Sequence, residues 1–190
     1  QYYYFAASLP MLTFEGKTPT SVASFLEDCQ RFLSRGDCDL MRQLLADGDI
    51  DVKTGPRVFN AWVEFDRNFR NELAWYRAVW LSKDPLKYIH GERLPDPRLA
   101  EVIHQASRMT NLWEAEKFLD KARWLFLEDL AAGHYFDIEF LFVYGLKLRI
   151  LERHHEYASR KGREISMELR QMELPESCVL DPINRRRSSQ

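Results

Sequence analysis

The sequence predicts an all-α fold, a helical bundle with long antiparallel helices. Between residues 56 and 81 the apolar residues recur every three or four positions, which is the spacing of one helix face. Residues 135–151 are apolar on nearly every side, as expected of a helix at the centre of a bundle. No stretch alternates helix patterns with strand patterns, which disfavours a doubly wound fold. Hydrophobic residues make up 45% of the 190-residue chain, enough for a sizeable core.

The first element is an aromatic run at residues 2–9, Tyr-Tyr-Tyr-Phe-Ala-Ala-Ser-Leu, which Pro10 ends. Its aromatic residues favour a strand, whereas its Ala-Ala-Ser segment permits a helix, so both assignments stay open. In either form we expect a buried segment that packs on the later helices.

Two helices are predicted to follow this run. The first covers about residues 19–34, with Thr18 as its cap, Pro19 at its first position and Gly36 at its end. Asp37 then opens a short helix, which an Asp-Gly-Asp turn at residues 47–49 closes.

The clearest predicted element is a helix over about residues 56–81. Its apolar stripe comprises Val58, Trp62, Phe65, Phe69, Leu73, Tyr76 and Trp80. Polar residues interrupt it at positions 67–72. They are interpreted either as solvated flanks with interhelical ion pairs, or as a polar contact with a partner or a buried polar network.

Three more helices are predicted after residue 95. Asp96 caps the first, Asn111 caps the second, and Gly133 ends the second. The inner face of the first is formed by Leu99, Val102, Ile103 and Ala106. The last helix begins near Tyr135 and turns strongly polar from Glu152 onward. We therefore expect a helical bundle domain over residues 1–158, and a polar helical extension with a flexible basic tail over residues 159–190.

The sequence predicts no catalytic residue, no cofactor and no metal site. Neither the GxxxxGK[ST] nor the GxGxxG phosphate-binding pattern occurs in it. A balance of 27 basic against 29 acidic residues disfavours a nucleic-acid-binding protein. Cys29, Cys38 and Cys178 lack the number and spacing of a disulfide framework or a zinc site, which predicts reduced thiols. The longest apolar region is interrupted by charges, so no membrane span is predicted.

Three stretches carry a resemblance to a known family. They are the Tyr-Tyr-Tyr-Phe-Ala-Ala-Ser-Leu-Pro opening at residues 2–10, the Phe-Arg-Asn-Glu-Leu run at residues 69–73, and residues 136–153. The third begins Phe-Asp-Ile-Glu and continues to Tyr-Gly-Leu-Lys-Leu-Arg-Ile-Leu-Glu-Arg. With these motifs the chain resembles short proteins encoded alongside the subunits of bacterial V/A-type ATPases, where they stand in for the C-type subunit of the central stalk.

The resemblance implies a mechanical role without an active site. The C-type subunit is an all-helical adaptor between the central rotor stalk and the membrane proteolipid ring. The implied partners are therefore other V/A-type ATPase subunits, and the implied location is cytoplasmic, on the periphery of the inner membrane through those partners. This chain is about half the size of a C-type subunit. From the motif overlap, the candidate partner contacts are Arg70, Glu72, Tyr144, Lys147, Arg149, Glu152 and Arg153.

Two other function classes stay open on the sequence. One is a helical assembly or interaction protein outside the rotor, and the other is an enzyme with an unrecognised site. A polar pocket with clustered titrating groups favours an enzyme, whereas an exposed aromatic surface favours a binding protein.

Overall fold

The computed structural model describes residues 2–46 and 55–158, and within these ranges the chain forms α-helices and no strand. The helices are α1 (Tyr3–Ser8), α2 (Val22–Phe32), α3 (Arg35–Leu45), α4 (Arg57–Trp80), α5 (Pro97–Ser107), α6 (Leu112–Ala131) and α7 (Ile138–Ala158). A single-turn 3₁₀ helix, Pro85–Tyr88, follows α4. The all-α prediction is confirmed.

The chain divides into two compact units, residues 1–155 and 156–190. Of the second unit, only residues 156–158 at the end of α7 are described, and every contact discussed below lies in the first. The predicted turn at residues 47–49, the tail at 159–190 and Cys178 lie outside the described residues.

Helix α7 is the central helix of the main core, as its apolar composition predicts. Residues 141–146 are all buried, and Leu148, Ile150 and Leu151 are buried after them. Gly145 lets its neighbours approach closely, because a Cβ at this position would lie 3.0 Å from a Phe25 ring carbon and 3.2 Å from the Met41 sulfur. The main core also contains buried residues from α1, α2, α3, α4 and α6.

A second, smaller core lies where α4, α5 and α6 meet. It consists of Phe69, Leu99, Ile103, Ala106, Ala115 and Leu119. Phe65 packs against both cores, and its ring stacks on that of Phe126 with centroids 3.8 Å apart. Helices α4 and α6 therefore run through both cores and join them.

Helix α4 and the two helices after it match the sequence predictions closely. The predicted span of α4 is 56–81, and its stripe is buried or half-buried except at Trp80, which is exposed. The Asp96 side chain accepts from Arg98 N at 2.8 Å, and that of Asn111 accepts from Trp113 N at 3.0 Å, so both predicted caps are confirmed. Gly133 follows α6 with a φ of 88°.

The aromatic run at residues 2–9 forms helix α1, and it is buried on only one side. Phe5 and Ala6 lie in the main core, whereas Tyr3 and Tyr4 are exposed. The expectation of a buried segment was therefore right for half of the run. A helix at the edge of the core presents only one face to it, and the other face remains in solvent.

The predicted boundaries of α2 and α3 were wrong. Helix α2 begins at Val22, and its cap is Ser21, whose Oγ accepts from Ser24 N at 3.1 Å, so Thr18 and Pro19 precede it. Gly36 does not end α2 but lies in the first turn of α3, because Ser34 caps α3 by accepting from Asp37 N at 3.2 Å. Serine next to the first core-facing residue competes well with an earlier Thr-Pro pair as a helix start.

The start of α7 was also predicted too early. Asp137 caps it, since its Oδ1 accepts from Phe140 N at 2.9 Å, and the helix proper begins at Ile138. Tyr135 and Phe136 consequently lie before the helix, and both side chains are exposed. No helix in the described ranges has the length and apolar composition needed to cross a membrane.

Candidate partner-binding surface

Polar side chains of α7 bind the open ends of three other helices. Glu139 Oε2 accepts from Val58 N in the first turn of α4 at 2.8 Å, and Glu152 Oε1 accepts from Val22 N at the start of α2 at 3.1 Å. Arg149 Nη1 donates to the Ala46 carbonyl at the end of α3 at 3.0 Å. The start of a helix carries unpaired N–H groups and a partial positive charge, and its end carries unpaired carbonyls and a partial negative charge. Each contact therefore pairs a backbone group with a side chain of opposite charge and stabilises the helix. Two predicted partner contacts, Arg149 and Glu152, thus have roles inside the fold.

Asp120 is a buried carboxylate at the junction of α6 and α7. Arg123 Nη1 donates to it at 2.8 Å, His154 Nε2 lies 3.0 Å from it, and Arg153 Nη2 forms a further ion pair with it. Burial alone raises the pKa of Asp120, but the His154 hydrogen bond and the charges of Arg153 and Arg123 outweigh it and leave that pKa below its ordinary value. The predicted contact Arg153 therefore holds α7 to α6.

Four arginines line a cleft between α3, α4, α6 and α7. The cleft has a volume of about 230 Å³, and its lining includes Arg70, Arg123, Arg149 and Arg153 together with Asp66. Arg70 Nε lies 3.0 Å from Asp66 Oδ2, and the Arg123 guanidinium also stacks 4.1 Å from the Phe69 ring centroid. The cleft brings together three of the seven predicted contacts, Arg70, Arg149 and Arg153. Guanidinium groups are donors only, so the groups they can bind are carbonyls, carboxylates and phosphates.

Glu72 and Tyr144, two of the predicted partner contacts, are both buried within the fold. Arg93 Nη2 donates to Glu72 Oε2 at 3.0 Å, and the neighbouring Asn71 makes two 3.0 Å hydrogen bonds with the backbone of His90. The polar residues within α4 thus include a buried network that ties the segment after the 3₁₀ helix to α4. The Tyr144 side chain lies in the main core, where burial raises its pKa to about 12.

Lys147 is half-buried beside α6. Its Nζ lies 4.8 Å from the centroid of the Trp124 ring and 3.7 Å from Glu128 Oε1. Burial lowers its pKa, and the charge of Glu128 only partly opposes this. Lys147 is therefore also engaged within the fold, through a cation–π contact and a carboxylate.

An exposed aromatic patch consists of Tyr3, Tyr4 and Phe136. The Tyr3 ring lies 4.5 Å from that of Phe136 and 5.6 Å from that of Tyr4, measured between centroids. The exposed fractions of the three side chains are 55% for Tyr3, 84% for Tyr4 and 49% for Phe136. Sequence reasoning missed this patch because it placed the tyrosines in the core and Phe136 inside the last helix. The Tyr-Tyr-Tyr run itself was the signal that could have revealed it.

Metal ligation and thiol chemistry have no evident site in the part of the chain that the structure describes. No group of three or more His, Cys, Asp or Glu residues there could hold a metal ion. Cys29 and Cys38 are both free and buried, and burial raises the pKa of the Cys29 thiol to about 12. Such a thiol is a poor nucleophile at neutral pH.

Residues 96–173 match a protein family described as "Protein of unknown function (DUF2764)". The matched residues include α5, α6 and α7 but not α1 or α4. They therefore include Asp120 and the α7 side chains that bind the ends of other helices. Comparison with curated proteins and with solved structures finds no match.

Proposed function

We propose that this chain is a non-catalytic component of a V/A-type ATPase, an adaptor that couples the central rotor stalk to the membrane proteolipid ring in ion transport. The observation that carries the proposal is the aromatic patch. Tyr3 belongs to the first stretch that carries the family resemblance, and Phe136 begins the third. The two rings are in contact and about half exposed, so two distant parts of the resemblance meet on one surface.

An exposed patch of aromatic rings suits a protein partner. Tyrosine and other aromatic residues are enriched at interfaces and contribute most where they are fully covered by the partner. The rings of the patch already touch one another, so little side-chain freedom is left to lose when a partner covers them. This surface favours a binding protein over an enzyme.

A coupling protein also has to resist deformation. In this chain the polar residues of α7 bind the ends of α2, α3 and α4, and Asp120 links α6 to α7. Contacts of this kind join separate helices into one body, as the transmission of torque requires. The charged residues of the α7 motif would then serve the stiffness of the adaptor, and the aromatic patch would serve its attachment.

The test is recovery of the tagged full-length chain from the membranes of its source organism, followed by mass spectrometry. The proposal expects the stalk and proteolipid-ring subunits in amounts stoichiometric with the chain. Recovery of the same subunits in small amounts, and only from incompletely assembled complexes, would favour an assembly protein. Absence of every ATPase subunit at low salt would contradict both.

A further inference from the structure

A second exposed apolar surface lies at the far end of α4. Its large side chains are Val79, Trp80, Leu81, Leu86 and Tyr88, and Trp80 and Leu86 are 62% and 72% exposed. They come from the last turn of α4 and from the 3₁₀ helix, which pack on each other. We call residues 77–88 the α4 corner. Several large apolar side chains exposed together in one short segment indicate an interaction site.

The backbone of the α4 corner is held firmly. Ser82 N donates to Val79 O at 3.1 Å and Lys83 N donates to Ala78 O at 2.8 Å, which together form a Schellman motif. Asp84 then caps the 3₁₀ helix by accepting from Leu86 N at 3.1 Å. The apolar side chains are therefore displayed on an ordered turn.

Basic residues are interleaved with the apolar ones. Arg77, Lys83 and Lys87 are all exposed, and Asp84 is the one acidic residue between positions 77 and 88. Lysine is depleted at the centre of protein–protein interfaces, where its charge would have to be desolvated. At a bilayer surface the same combination is favourable, because Trp, Tyr and Leu enter the interfacial region while Lys and Arg reach anionic headgroups. The composition of the corner thus favours a lipid surface over a protein partner.

We propose that the α4 corner docks on a bilayer that contains anionic lipids. Trp80, Leu81 and Leu86 enter the interfacial layer, and Lys83 and Lys87 face the headgroup phosphates. This contact is made by the chain directly and does not depend on an ATPase partner, so it stands or falls separately from the proposed function.

The test is co-sedimentation of the purified full-length chain with lipid vesicles. The expected result is binding to vesicles of phosphatidylcholine with phosphatidylglycerol, weaker binding at high salt, and little binding to phosphatidylcholine alone. The double variant Trp80→Ser with Leu86→Ser should bind at least tenfold more weakly, and Lys83→Gln or Lys87→Gln about fivefold more weakly each.

Two exposed residues of α6 provide matched controls. Leu125→Ser and Lys121→Gln make the same chemical changes outside the corner, and both variants should bind vesicles as the parent chain does. Circular dichroism of every variant checks that the helices are intact. Failure of the parent chain to sediment with anionic vesicles at low salt would overturn the proposal. Equal binding by the parent chain and the Trp80 and Leu86 double variant would also overturn it.

Discussion

At the scale of single residues, the buried carboxylate of Asp120 makes a pH-dependent contribution to stability. Its pKa is lower in the folded chain than in the unfolded one, where an Asp has a pKa of about 3.9. Its ion pairs therefore contribute fully above about pH 4 and lose their contribution as the pH falls through the folded pKa.

The variant Asp120→Asn should lose about 3 kcal/mol of unfolding free energy at pH 7, because Arg123 and Arg153 keep their charges without the carboxylate. The difference between the variant and the parent chain should be smaller at about pH 3, because below about pH 4 the unfolded parent chain binds a proton at Asp120 more readily than the folded chain does. Urea unfolding at both pH values measures this. An equal difference at the two pH values would contradict the assigned role of Asp120.

The hydroxyl group of Tyr144 is buried without a hydrogen bond to any of the described residues. Its desolvation is therefore uncompensated. Tyr144→Phe should raise the unfolding free energy by about 1 kcal/mol and leave partner recovery unchanged. The control is Tyr76→Phe, which removes a hydroxyl that lies 2.7 Å from Ser107 Oγ and should be neutral or destabilising. A loss of stability in Tyr144→Phe would refute this interpretation.

Ser82 occupies a backbone conformation that favours glycine. Its φ is 55°, at the position after α4 where a Schellman motif normally has Gly. Ser82→Gly should raise the unfolding free energy by about 1 kcal/mol, since the left-handed conformation costs a residue with a Cβ roughly that much. Ala100→Gly, at an exposed position inside α5, should instead cost about 1 kcal/mol. Thermal unfolding of the two variants should therefore shift in opposite directions.

At the scale of the elements, α7 supplies the cap that α4 lacks. Helix α4 begins after Pro56 and has no side-chain cap of its own, so Glu139 of α7 accepts from Val58 N instead. Glu139→Ala should cost about 1–2 kcal/mol and speed amide exchange in the first turn of α4. Glu27→Ala, an exposed change on α2, serves as the control and should have little effect. Unchanged exchange at the start of α4 would show that Glu139 does not cap it.

Helix starts were predictable wherever a helical apolar period coincided with one clear start signal, which is a proline for α4 and a side-chain cap for α5 and α6. Helices α4, α5 and α6 satisfy this condition, and their predicted starts at Pro56, Asp96 and Asn111 agree with the structure. The predicted start of α2 was wrong because Thr18 and Ser21 are both good caps. The helix begins after Ser21, where the face that packs on the core begins. The predicted start of α7 was wrong because the apolar residues Tyr135 and Phe136 stand directly before the helix. Periodicity alone cannot show that they lie outside it.

At the scale of the whole molecule, the candidate site was only partly predictable. The α7 motif supplied five of the seven predicted partner contacts. Its charged residues bind helix ends and a buried carboxylate that are distant in sequence, such as Glu152 with Val22 N and Arg153 with Asp120. A cap supplied by a residue distant in sequence leaves no pattern in the sequence around the helix end. The aromatic patch was missed for the same reason, since it exists only once α1 packs beside Phe136.

The most direct test of the adaptor proposal compares recovery of ATPase subunits by three forms of the tagged chain. They are the parent chain, the patch variant Tyr4→Ser with Phe136→Ser, and the control variant Leu125→Ser, which changes an exposed apolar residue of α6. We expect the parent and control chains to recover stalk and ring subunits equally. The patch variant should bind roughly 30-fold more weakly, which corresponds to the loss of about 2 kcal/mol typical of a central aromatic contact. Equal recovery by all three forms, or recovery of no ATPase subunits by any of them, would contradict the account.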